Sequence, residues 1–81
     1  MKAKTNLQAA TFNTNVGMTM LRAGDLAGAI SQFEAALNLA PDYANAHYQM
    51  AIALRRQGKA GAADAEFRKA YQIDPALKPQ P

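Results

Sequence analysis

The 81-residue chain has no cysteine and no tryptophan, and only one histidine. Without cysteine there is no disulfide scaffold, no Cys-based zinc site and no thiol nucleophile. Strand formers are scarce: Val, Ile and Thr together supply eight residues, which argues against sheets. Long hydrophobic runs are missing too. The longest uncharged stretches are broken by Asn, Gln, Thr and Gly, so no membrane span is expected. The opening MKAKTNLQAA lacks the apolar core of a secretory signal. The compartment stays open, with the cytoplasm as the default and a fragment of an exported protein still allowed. Net charge is +3 with 19% charged residues, too mild for a chain built mainly to bind nucleic acid.

What the chain has is alanine. Nineteen of its forty hydrophobic residues are Ala, the best helix former, so the expected core is made of small side chains and close backbones. An internal repeat organises them. Shifting the chain by 34 residues superimposes Ala10 on Ala44, Arg22 on Arg56, Gly24 on Gly58, Ala29 on Ala63, Phe33 on Phe67, Ala36 on Ala70 and Pro41 on Pro75. Most other pairs keep their size class, among them Val16/Met50, Gly17/Ala51 and Met20/Leu54.

Each copy reads as two helices. In the second, residues 44–57 place Met50, Ala51 and Leu54 on one face with His47 beside them, and Gly58-Lys59 ends the helix. Residues 60–73 carry Ala63, Phe67 and Ala70 as an amphipathic stripe, which Asp74-Pro75 stops. The first copy repeats this with a helix to about Ala23, a turn at Gly24-Asp25, a helix near 26–39 and a stop at Ala40-Pro41. Asp42 or Asn45 is expected to cap the helix that follows. The reading is all-α with about four helices: an extension over 1–9 that can prolong the first helix, repeats at 10–43 and 44–77, and a frayed Pro-rich tail at 78–81.

Those slots resemble the tetratricopeptide repeat (TPR) family twice over: Asn13, Val16, Gly17, Met20, Ala29, Phe33 and Pro41, then His47, Met50, Ala51, Leu54, Ala63, Phe67 and Pro75. Polar Asn13 and His47 stand where the family has Trp, from which loose packing is expected. The resemblance implies two tandem helical hairpins in a short right-handed superhelical solenoid. It implies a non-enzymatic protein-interaction module whose first helices line a concave groove for a peptide or helix. The helical wheel assigns to that groove Thr14, Asn15, Met18 and Arg22 from the first copy, and Asn45, Tyr48, Gln49, Ile52, Arg55 and Arg56 from the second. Met18, Ile52 and Tyr48 supply apolar contacts, Asn15 and Gln49 hydrogen bonds, and the arginines carboxylate partners. One family subtype grips a C-terminal carboxylate with Lys and Asn, but Thr14 and Met18 occupy those places here.

Two repeats are few for such an array, so self-association is the alternative function. Residues 10–43 carry Arg22 against Asp25, Glu34 and Asp42, whereas residues 44–77 carry Arg55, Arg56, Lys59, Arg68 and Lys69 against Asp64, Glu66 and Asp74. Opposite signs suggest a head-to-tail or reciprocal dimer through the terminal helices. Weak nucleic-acid binding by the basic end is a distant third. No catalytic, metal or cofactor role is expected. His47 has Tyr43, Ala44, Met50 and Ala51 one turn away instead of a second ligand, and Asp64/Arg68 and Glu66/Lys69 read as surface helix pairs.

Overall fold

The computed structural model describes residues 2–79 and contains four helices: α1 (Lys2–Arg22), α2 (Leu26–Leu39), α3 (Ala44–Arg56) and α4 (Ala60–Ile73). A single 3-10 turn, Pro75–Leu77, follows α4. No strand occurs among the described residues. The extension joins the first helix from Lys2 onward. Of the tail expected to fray, Gln80 and Pro81 lie outside the described residues.

The punctuation has identifiable causes. Gly24 and Gly58 adopt φ of 87° and 84°, left-handed conformations that L side chains resist, and each turns the chain out of the first helix of its hairpin. Asp25 caps α2, its carboxylate accepting from the Gly28 N–H at 3.0 Å. The cap expected at Asp42 or Asn45 does not form: α3 starts after Tyr43, which makes no side-chain cap bond. Lys59 precedes α4 with no side-chain cap either. Pro75 ends the last helix, and Asp74 accepts from the Ala76 N–H at 3.1 Å to tie the turn.

α1 packs against α2 and α3 against α4, while α2 also packs against α3. The least extent of the molecule, 18 Å, is two layers of helices. Eight of the ten buried apolar residues are alanines, including Ala29, Ala36, Ala51, Ala63 and Ala70, all fully buried. Small residues at the crossings let the axes approach closely. The tightest approach is at Gly17, where a Cβ would stand 2.5 Å from Cε1 of Phe33. Phe33 is fully buried and shares its cluster with Leu21, Ala29 and Ala53, so it joins the first hairpin to α3. A second cluster of Ala10, Ala36 and Ala46 extends the junction towards Leu39 and Tyr43.

His47 corrects the expectation of loose packing. The ring is buried, with Nδ1 2.7 Å from Glu66 Oε1 and Nε2 2.8 Å from the Pro41 carbonyl. Both ring nitrogens have an oxygen within hydrogen-bond distance, one from a carboxylate and one from a carbonyl. The residue thus links α3 to α4 and to the loop between hairpins. Lys69 donates to the other Glu66 oxygen at 3.3 Å, whereas the pair expected between Asp64 and Arg68 does not form.

Candidate functional site

α1 and α3 lie side by side, and the surface between them is a cleft of about 530 Å³ lined by Met18, Leu21, Arg22, Gln49, Ile52 and Arg56. Helical spacing explains the set. Met18 and Arg22 are four apart on α1, and Asn45, Gln49, Ile52 and Arg56 recur at three- and four-residue steps on α3. Asn45 and Gln49 are coupled, the Gln49 amide donating to Asn45 Oδ1 at 3.3 Å. The Asn45 amide reaches the Met18 sulfur at 3.9 Å and so crosses from α3 to α1. Arg56 also crosses, donating to the Leu21 carbonyl at 3.4 Å. That carbonyl belongs to the last turn of α1, the negative end of the helix dipole, where a cation is stabilised.

The lining holds two guanidinium groups and no carboxylate. Met18 and Ile52 are partly buried and form its apolar floor together with Leu21. The cleft can therefore hold one or two apolar side chains between amide donors while offering charge-assisted hydrogen bonds to carboxylates. Among the described residues, no cluster of His, Asp and Glu is placed to hold a metal ion.

Six of the ten residues assigned to a groove from the sequence come together: Met18, Arg22, Asn45, Gln49, Ile52 and Arg56. Asn15 is exposed one turn before Met18. Three fall elsewhere. Thr14 is fully buried, its hydroxyl donating to the Ala10 carbonyl at 2.8 Å, so it offers nothing to a partner. Tyr48 turns to α4, with its ring 5.4 Å from that of Phe67 in an edge-to-face pair and 6.5 Å from that of Tyr71. Arg55 also turns to α4, its guanidinium carbon lying 5.1 Å from the Phe67 ring centre. Leu21, which the wheel did not select, lines the cleft.

Two helical hairpins in register, joined by a buried Phe and presenting their first helices side by side, define a helical-repeat scaffold. A sequence model of the tetratricopeptide repeat matches residues 7–76, and the chain belongs to that family. Among curated proteins, no match is found. Tetratricopeptide repeats generally mediate protein–protein interaction or scaffolding by binding proteins or peptides, and typically do so as non-catalytic modules. No helix among the described residues is long and apolar enough to cross a membrane.

Proposed function

We propose that the chain is a non-enzymatic interaction module whose cleft between α1 and α3 takes a peptide or helix carrying apolar side chains and carboxylates. The observation that carries this reading is the lining itself: an apolar floor of Met18, Leu21 and Ile52 under Arg22 and Arg56, with no acidic residue among them. An apolar side chain of the partner displaces water from the floor, and its carboxylates meet the two guanidinium groups. Gln49 and Asn45 supply donors for an extended backbone, and Asn15 widens the polar edge.

The test is a titration with a synthetic peptide that alternates Leu and Glu, against a matched peptide of Leu and Lys. Binding of the acidic peptide, weakened on the order of tenfold by Arg56→Ala and by Ile52→Glu, is the expected result. Equal binding of both peptides, or binding indifferent to both substitutions, would overturn the assignment of the cleft.

A further inference from the structure

The opposite end of the array carries a second surface. The 34-residue register pairs Phe67 with Phe33, Tyr71 with Leu37, Arg55 with Leu21 and Asp64 with Ile30. In the first hairpin those positions form the junction that α3 closes, with Ala46 and Ala53 fully buried and Met50 packed between them in sequence. In the second hairpin the same positions face outward. Phe67 stacks on Tyr71 at 5.9 Å and 18°, Tyr48 closes the cluster at its edge, and Arg55 and Arg68 flank it against a single carboxylate, Asp64.

We propose that this face docks an amphipathic helix of another protein, one with a stripe of small residues and acidic flanks. The shape follows from the molecule's own junction: α3 meets the equivalent surface through alanines at i and i+7 around a Met. The charge follows from the exchange of Leu21 for Arg55 and of Glu34 for Arg68 between the two copies. A second copy of this chain fits worse. Its equivalent helix, α1, carries Arg22 in its last turn with no carboxylate along the helix, and presents the large exposed side chain of Phe12 where α3 has Ala46. A two-fold pairing of the α4 faces brings Arg55 and Arg68 of each copy against those of the other, which is repulsive.

The probe is a peptide of residues 42–57 of this chain with Arg55→Glu and Arg56→Glu, compared with the unaltered peptide. It is titrated into the 81-residue protein while amide and aromatic chemical shifts are followed. The expected result is that the acidic peptide shifts Tyr48, Phe67 and Tyr71 and binds on the order of fivefold more tightly than the unaltered one. The protein variant Arg68→Glu, an exposed change that leaves packing intact, should abolish that preference, and Phe67→Ala should remove the shifts. Equal affinity of the two peptides overturns the charge argument. Shifts confined to Met18 and Ile52 place the peptide in the cleft and overturn the site. Shifts at Phe67 that appear on concentrating the protein alone assign the face to a second copy, which also overturns it.

Discussion

Phe33 and Phe67 are the same residue in the same register of two repeats, yet one is fully buried and the other only partly so. The side chain does not decide this; the neighbour does. Phe33 has α3 over it, and the packing there is tight enough that its partner on α1 is Gly17. Phe67 has no helix over it among the described residues, and its counterpart of Gly17 is Ala51. Around it the aliphatic Leu21, Ile30 and Leu37 become Arg55, Asp64 and Tyr71, which tolerate water, and of these Arg55 and Tyr71 still cover the ring. The repeat thus encodes one hairpin, and the variable positions encode whether its face is closed or left open to solvent.

The largest expected effect follows from that contrast. Phe33→Ala should destabilise the fold by about 3–5 kcal/mol, because it empties a space that α1, α2 and α3 enclose. Phe67→Ala should cost about 1–2 kcal/mol, since the ring already meets water and its loss leaves a dent rather than a cavity. Urea midpoints of the two variants measure the difference. Equal losses would mean that the face of α4 is as closed as the inner junction.

The next effect is at the crossing beneath each ring. Gly17→Ala places a methyl 2.5 Å from the fully buried Phe33 ring and should cost about 1–3 kcal/mol by overpacking. The mirror change, Ala51→Gly, should cost about 0.5–1 kcal/mol, the usual penalty of glycine within a helix. A Gly17→Ala variant that melts at a higher temperature than the parent would show that the Phe33 ring has room to move.

Much of this was readable from the chain. The four helices, the left-handed turns at Gly24 and Gly58 and the buried alanines Ala29, Ala51 and Ala63 follow from residue type and a 34-residue register. The parts that were not readable depend on a neighbouring element. A wheel drawn for α3 alone puts Tyr48 and Arg55 beside Asn45 and Arg56, because it cannot know that aromatic rings on α4 draw the edge of the face over. Thr14 looks polar and therefore outward, but its hydroxyl is satisfied within its own helix and so tolerates full burial. The partner of His47 lies 19 residues away on α4, beyond the neighbours that helical spacing places one turn away.

That histidine gives the third prediction. His47→Leu keeps a comparable volume but leaves the Pro41 carbonyl and one Glu66 oxygen without the ring nitrogens they face, for a loss of about 1–3 kcal/mol. His47→Gln retains one of the two bonds and should fall between that variant and the parent. Thermal melts of the three proteins give the order. A Leu variant as stable as the parent would mean that water replaces the ring's bonds at no cost.

The smallest effect concerns the helix starts, where the two hairpins differ at the capping residue. Asp25 accepts from the backbone of α2, whereas its counterpart Lys59 offers no acceptor and sets a positive charge at the positive end of α4. Lys59→Ser supplies the missing acceptor and removes the charge, and it should raise stability by about 0.5–1 kcal/mol. The gain belongs to α4 alone, so amide exchange should slow in its first turn and stay unchanged in α2. If α2 were equally protected by the change, the two hairpins would unfold as one unit, and the contrast between the closed and open faces would not extend to local stability.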